Sequence, residues 1–506
     1  MKLDRRTFTR LAATSAIACA SGLRADESAA AEGGLAVLTL AEASARIHRR
    51  EVTSLALTEA CLARIAVYDP KLDAFITVAA EQARQQARAL DAELKSGKYR
   101  GPLHGIPIAL KDNIDTANLR TTGGSALYAG NVPTADAPVA ARLRDAGAVI
   151  LGKTNLHEFA MGSGETSYWG PSRNPWALDR NTGGSSSGSG AALSACLCYG
   201  ALGTDTAGSV RYPANFCSVV GLKVTYGLVP IRGIMPLTLS LDTCGPMARN
   251  VEDTAMLLNH MTGYDKLDIA SVPHEQEDYV AASRQPVSAL RVGMPDGCFD
   301  RLDPEVRTVV MAAIGVIAKL VKEVKPVALP PLGDAAVIGP FAETYAWHKD
   351  NFDAQPGKYM LQNRRTMEAN EKMDAATYIR ARWQLETLRR TIDDAYSGFD
   401  LVVLPTMHLL PPLLQEMLER DAHPTPRDPV SYGDAILFNA YGTPAISVPC
   451  GFSASGLPIG MSISGPHFSE GRILALARAY EAATDWHNRR PPINPETRKP
   501  LLAPVS

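Results

Sequence analysis

Two serines and one lysine stand in this chain where chemistry could be done. Ser185 opens the small-residue run GGSSSGSG, Ser209 closes the turn DTAGS, and Lys111 ends the apolar run GIPIALK. Turns without bulky side chains let backbone approach a bound molecule closely. A serine hydroxyl becomes a useful nucleophile only when a base removes its proton. Each feature also has a plain reading. A Gly/Ser run can be a flexible linker, and a lysine after an apolar run is usually a solvated cap. A linker joins domains, however, whereas this run feeds directly into AALSACLCYGAL and then a second glycine turn, which favours a pocket. A phosphate cradle fits less well, because the run ends in Gly190 and Ala191 where that pattern needs Lys followed by Ser or Thr.

Taken together, GIPIALKDNID, GGSSSGSG and GTDTAGSVRYPANFCSVVGLK resemble the amidase signature family in order and spacing, including the 209 − 185 = 24 residues between the two serines. The resemblance runs to about Trp486 and implies a Ser-Ser-Lys relay. Ser209 matches the acyl-forming nucleophile, Ser185 the bridging serine that in the family sits on a cis peptide bond, and Lys111 the base. It further implies an oxyanion hole of backbone N–H groups at Thr206, Ala207, Gly208 and Ser209. Ala160, Met161, Gly162, Ser163 and Ser185 are placed against the substrate, and Asp205 and Arg211 support the turn. No cofactor and no metal are implied. To act as a base Lys111 must be neutral, so it has to be buried, which disfavours the charged form. Three positions depart from the family pattern: Ala207 and Ser187 replace usual glycines, and Val224 a usual proline. Ala207 bears on pocket shape, since a methyl group there narrows the pocket or strains the turn if the position needs positive φ.

The elements that must position these residues read as an α/β protein. The fold implied is the amidase signature fold, a large mixed twisted sheet covered by helices on both faces. Thr39 and Glu42 form a capping box opening a helix, and a second helix runs from about Leu55 to Tyr68 with a stop at Asp69-Pro70. Ile106 to Leu110 reads as a strand, DAPVAARLRDAG as a helix and AVILGK as a strand, an alternation that indicates a partly parallel sheet. The segment between the two serines reads as a helix between tight turns. Asp303-Pro304 opens an apolar helix expected to reach about Val324, after which no sharp pattern emerges until about Thr377.

With 506 residues and 46% hydrophobic content, the chain can fill one extended sheet domain. The expected division is a signal and tail over 1–32, the catalytic domain over 33–490 and a C-terminal tail over 491–506. A net charge of −2 without any Lys/Arg block argues against nucleic acid or an anionic membrane as partner and fits a substrate that is small or uncharged in bulk. The apolar run near the start is too short to span a bilayer, so no stable membrane insertion is expected, and the resemblance implies a small-molecule amide as substrate, with room for a homodimer. The ten histidines show no metal-ligand spacing, and His157 reads as structural. The start, with Arg5, Arg6, Thr7 and Phe8 before an apolar run from Leu11 to Ala20, resembles a twin-arginine export signal. Cleavage after Ala20 is expected. Cys19 is the alternative, lipid-anchor site, with Ala16 where a leucine-like residue is usual. Seven further cysteines in apolar contexts read as buried thiols rather than a disulfide framework.

The reading is an exported amidase, periplasmic or secreted. An amidotransferase A-like subunit that works on aminoacyl-tRNA shares the same signature and is less favoured, because export and the lack of a basic stripe fit tRNA poorly. Carbamates, esters and amidated peptides suit the same machinery. Export through the twin-arginine route predicts that Arg5→Lys/Arg6→Lys leaves unprocessed protein in the cytoplasm; unchanged export of that double variant, followed by cell fractionation, contradicts it.

Overall fold

A computed structural model describes residues 34–162, 167–333, 342–423 and 433–503. The export segment and Cys19 lie outside the described residues. Eleven strands form one sheet: β1 (Phe75–Val78), β2 (Pro107–Lys111), β3 (Val149–Thr154), β4 (Gly200–Asp205), β5 (Val220–Lys223), β6 (Thr243–Ala248), β7 (Arg291–Pro295), β8 (Glu323–Val327), β9 (Leu401–Pro405), β10 (Ala445–Phe452) and β11 (Pro458–Ser464). Their order is β1-β3-β2-β4-β6-β5-β10-β11-β9-β7-β8. The sheet is mixed. β2 runs parallel to β3 and β4, and β7 runs parallel to β8 and β9, while the centre from β4 through β6, β5, β10 and β11 to β9 is antiparallel.

The central strands are apolar on both faces because helices cover them. Val251–Met261 packs on β4, β5 and β6, and Arg211–Cys217 packs on β5, β10 and β11. Ile108, Ala109 and Leu110 of β2 are wholly buried. Burying a leucine or isoleucine side chain stabilises a fold by about 1.5–3 kcal/mol, which works against the cost of burying the amine that ends the strand.

Local signals set several boundaries. The helix Leu40–His48 starts with the complete capping box of Thr39 and Glu42. Gly147, at φ +90°, follows the end of the Pro138–Asp145 helix. Elsewhere the chain departs from the expected boundaries. The helix Ser54–Leu72 runs through Pro70 and stops only at Asp73, at φ +48°. The carboxylate of Asp69 meanwhile takes the N–H groups of Ala74 and Phe75 at 2.8 and 3.1 Å, so the chain leaving the helix is tied down one turn later than Pro70 suggests. The apolar helix from Pro304 ends at Leu320, and the stretch expected to continue it turns into β8, which pairs with β7. Between the two serines there is a helix and a strand: Ser187–Ser194, a turn with Cys196 at φ +57°, then β4. The pattern-poor middle holds the helices Ala342–Ala354 and Leu361–Asn370.

The expected C-terminal tail lies along the body. Lys71 Nζ donates to the Asn494 carbonyl at 3.0 Å, Lys499 meets Asp73, and the Ala503 N–H donates to Gln415 Oε1 at 2.9 Å. Among the described residues no helix is long and apolar enough to cross a membrane. The seven described cysteines are all buried and unpaired by disulfides. A thiol reagent is expected to find almost none of them in the native protein and all seven after denaturation without reductant; a shortfall of two or more in the denatured count contradicts this arrangement.

Candidate active site

Lys111 reaches the site because it is the last residue of β2, a fully buried strand flanked by β3 and β4. Its side chain is wholly buried, and burial lowers the ammonium to about 7, with the carboxylates of Asp205 and Asp242 pulling the other way. Three oxygens surround Nζ: Ser185 Oγ at 2.8 Å, Thr204 Oγ1 at 2.8 Å and the Thr204 carbonyl at 3.4 Å. Three oxygens suit the three N–H groups of an ammonium, and the same set suits a neutral amine whose two N–H groups go to Thr204 while the Ser185 hydroxyl donates to its lone pair. Asn113 Nδ2 also donates to Thr204 Oγ1, at 3.2 Å, which turns the Thr204 hydroxyl into an acceptor for both.

Ser185 follows Gly184 across a cis peptide bond. The turn is packed against His157. A Cβ built on Gly184 falls 2.1 Å from the imidazole Cε1, so any larger residue displaces the ring, and the His157 N–H donates to the Ser185 carbonyl at 3.2 Å. Sequence reasoning held His157 to be structural; the structure puts it against the bridging serine and on the cavity wall. The Ser209 carbonyl accepts from the Ser186 N–H at 3.2 Å, which ties the two small-residue turns together. The Ser209 side chain faces the cavity and makes no hydrogen bond among the described residues.

The DTAGS turn is shaped by Asp205 at the end of β4. Its carboxylate takes the N–H groups of Gly208 at 2.8 Å and Val210 at 3.1 Å, a bidentate pair of bonds from Arg211 at 2.9 and 3.0 Å, and Asn439 Nδ2 at 2.9 Å. Burial works to raise this carboxyl, and the Arg211 charge with the converging donors outweighs it, holding the group well below the usual carboxylate range. Both side chains of the pair are fully buried, where removing one partner typically costs about 3–5 kcal/mol because the other charge is left alone. The support expected of Asp205 and Arg211 is therefore present as a buried ion pair. It also corrects the donor set. The Gly208 N–H is spent on Asp205, so among the expected oxyanion donors Ala207 and Ser209 are the ones that line the cavity.

Ala207 is not at positive φ; that conformation falls to Gly208, at φ +117°, where an added Cβ would lie 2.5 Å from the Tyr212 ring. The methyl group of Ala207 thus narrows the cavity without straining the turn. Ser187 lies 3.3 Å from Ser172 Oγ, and Val224 is buried; neither touches Lys111, Ser185 or Ser209. Thr206, at the start of the turn, donates its hydroxyl to Asp242, which also takes the Leu237 and Thr238 N–H groups. Burial raises the Asp242 carboxyl to about 7.

The cavity in front of Ser209 has a volume of about 390 Å³. Ala160, Met161 and Gly162 line it, Ser163 lies outside the described residues, and Ser185 sits behind Gly183 and Gly184 rather than on the surface. Phe216, Leu237, Met407, Met417 and Ile436 supply much of the remaining wall, and none of its described residues is Asp, Glu, Lys or Arg. Among the described residues no three His, Cys, Asp or Glu side chains group as metal ligands.

The family model described as Amidase matches residues 56–474, most of the chain. The chain belongs to the amidase family. It is an enzyme that hydrolyses C–N amide bonds. This amidase is 40% identical to the A-type subunit of the glutamyl-tRNA(Gln) amidotransferase of Methylococcus capsulatus over 484 residues, 90% of this chain and 98% of the relative. Among solved structures it resembles native peptide amidase from Stenotrophomonas maltophilia, with a TM-score of 0.79 and 32% identity, covering 91% of this chain and 99% of that one. It likewise resembles 6-aminohexanoate cyclic dimer hydrolase, with a TM-score of 0.79 and 28% identity, covering 90% and 98%.

Thr204 and Asp242 were missed by sequence reasoning. Thr204 lies in the apolar-to-turn transition GALGTD, where only its place five residues before Ser209 marks it, and Asp242 carries no local signal of a role. A base lowered to about 7 gives a rate that rises with pH through neutrality, because protonated Lys111 cannot accept a proton. The kcat/KM profile of the wild type is expected to show an ascending limb near pH 7, and Lys111→Ala to lose it along with most activity. A flat wild-type profile from pH 5.5 to 8.5 contradicts this placement.

Proposed function

We propose that this amidase hydrolyses amides of uncharged, largely apolar acyl groups through an acyl intermediate on Ser209, with Ser185 and Lys111 as its proton relay. The observation that carries the reading is the line of decreasing exposure from the cavity through Ser209 to buried Ser185 and then to Lys111, whose oxygen contacts suit a neutral amine. Ser209 Oγ attacks the amide carbon; its proton passes to Ser185 Oγ while the Ser185 proton passes to Lys111 Nζ. The carbonyl oxygen becomes an oxyanion facing the N–H groups of Ala207 and Ser209, donors of a kind worth about 3 kcal/mol each in the transition state. Collapse breaks the C–N bond, and the proton returns from Lys111 through Ser185 to the departing amine. Water, deprotonated through the same relay, then releases the acid and restores Ser209. Thr204 holds Lys111 Nζ against Ser185 in both protonation states, by the two contacts at 2.8 and 3.4 Å.

The cavity wall supports the substrate class. An apolar acyl chain gains from methionine, phenylalanine and leucine contacts, and its lack of charge suits walls that carry no ionic partner among the described residues. Export, read from Arg5-Arg6-Thr7-Phe8, belongs to the same proposal. A second reading, an amidotransferase A-like subunit that works on aminoacyl-tRNA, is favoured by the 37–40% identity to several relatives named as the A-type subunit of glutamyl-tRNA(Gln) amidotransferase. The two differ in self-sufficiency.

Purified chain alone is expected to turn over aliphatic and aryl amides, to be labelled on Ser209 by a fluorophosphonate, and to lose both labelling and turnover in Ser209→Ala. Lys111→Ala and Ser185→Ala should combine without adding, as members of one unit do. An adduct on another serine overturns the mechanism. Inactivity on every amide until tRNA and further subunits are supplied decides for the second reading.

A further inference from the structure

Behind the cavity wall, one carboxylate joins two parts of the chain that are about two hundred residues apart in sequence. Glu158 is wholly buried. Its Oε1 accepts from Ser125 Oγ at 2.6 Å, and its Oε2 accepts from the Met360 N–H at 2.9 Å and from Asn363 Nδ2 at 2.8 Å. Asn363 Nδ2 reaches the Glu158 carbonyl as well, at 3.1 Å. All of these partners are donors and none is a cation, so the carboxylate is held by hydrogen bonds alone.

Both ends of this junction lead to the cavity. On one side, Phe159 and Ala160 stand at φ +52° and +59°, a reversal that turns Glu158 inward while Ala160 and Met161 face the cavity. On the other, Met360 begins the helix Leu361–Asn370, which sends Gln362 and Thr366 to the same cavity. That helix has no side-chain cap of its own, and the Glu158 carboxylate at its N-terminal end supplies an acceptor and a charge of the favourable sign. The Phe159 ring packs on His348 and Tyr359 at centroid distances of 4.4 and 5.6 Å, beside the junction. Glu158 does not itself line the cavity.

We infer that Glu158 is a positioning residue for acyl-group selection: its carboxylate clamps the Leu361–Asn370 helix to the Ala160–Met161 wall and so fixes the shape of the cavity in front of Ser209. The inference rests on that cavity being the acyl site. Cutting the clamp frees one wall, which changes how long or branched acyl groups fit and leaves the Lys111, Ser185 and Ser209 contacts as they are.

The test uses Glu158→Gln, Glu158→Leu and Asn363→Leu in the full chain, with primary amides of increasing acyl length. Glutamine can keep the junction, because its carbonyl accepts from Met360 and Asn363 while its NH2 group donates to Ser125 Oγ, whose hydroxyl then turns. Glu158→Gln is therefore expected to retain wild-type selectivity. In the two leucine variants, KM for the best long-chain amide is expected to rise about tenfold or more, the scale of one lost apolar contact, with kcat much less affected, so that the ratio of long-chain to short-chain kcat/KM falls. Asn363→Leu cuts the clamp from the helix side and keeps the test in hand if Glu158→Leu does not fold. The same amides are also titrated calorimetrically onto each variant in a Ser209→Ala background, where selectivity is read without turnover. Selectivity unchanged in both measurements for both leucine variants, or kcat lowered equally on every amide, overturns the clamp. Turnover surviving in Ser209→Ala overturns the mechanism instead and leaves the binding measurement to decide the clamp.

Discussion

An amine without open water has to be surrounded by oxygen atoms, and the active site of this amidase is built around meeting that demand for Lys111. The strand that delivers it is buried on both faces, so its charge is disfavoured and it is lowered to about 7, which makes the neutral form accessible near neutrality. A neutral amine has two protons to give and one lone pair to fill. In that form Thr204, from the neighbouring parallel strand, can take both protons, and the Ser185 hydroxyl, 2.8 Å from Nζ, can donate to the lone pair. The register of β2 against β4 sets this: Leu110 stands opposite Leu202, which carries Lys111 and Thr204 to the same end of the sheet.

The charges near the amine are sorted by how they are satisfied. Asp205 meets Arg211 and keeps its charge, so the DTAGS turn is anchored by a buried ion pair, and the Asp205 carboxylate still favours the charged form of Lys111 against burial. Asp242 meets only neutral donors, a hydroxyl and two N–H groups, and burial raises it toward neutrality. This matters for the nucleophile. The loop before Ser209 holds its shape through Asp205, which takes the Gly208 N–H, while Ala207 and Ser209 line the cavity. In the proposed mechanism, anchoring the turn and stabilising an oxyanion thus draw on different N–H groups of the same four residues.

The substrate cavity is assembled differently from the relay. Its floor comes from the glycine turns, and much of its wall comes from segments far along the chain: Met407 beyond β9, Met417 on the helix Leu414–Ala422, and Gln362 and Thr366 on a helix docked through Glu158. Under the proposed mechanism, a relay on strand ends paired with a wall of docked helices lets the chemistry and the choice of acyl group vary separately.

Much of the relay was legible in the chain before any coordinates, because Lys111, Ser185 and Ser209 each sit in a short motif whose small or apolar neighbours are local. The capping box at Thr39 and Glu42 and the strand before Lys111 were legible for the same reason: hydrogen bonds and burial repeat over a few residues there. β4 and β8 were not. GALGTD is too short and too rich in small residues to declare a strand, and Glu323–Val327 is polar at an edge; each becomes a strand through its neighbour, β2 and β6 for one and β7 for the other. Thr204 as an acceptor for Lys111, Asp205 as an acceptor for Asn439, and Glu158 as a tie to Met360 were likewise beyond local pattern. Each depends on which donor arrives from elsewhere, and that is decided only when the sheet closes and brings residues separated by tens to hundreds of positions within hydrogen-bond reach.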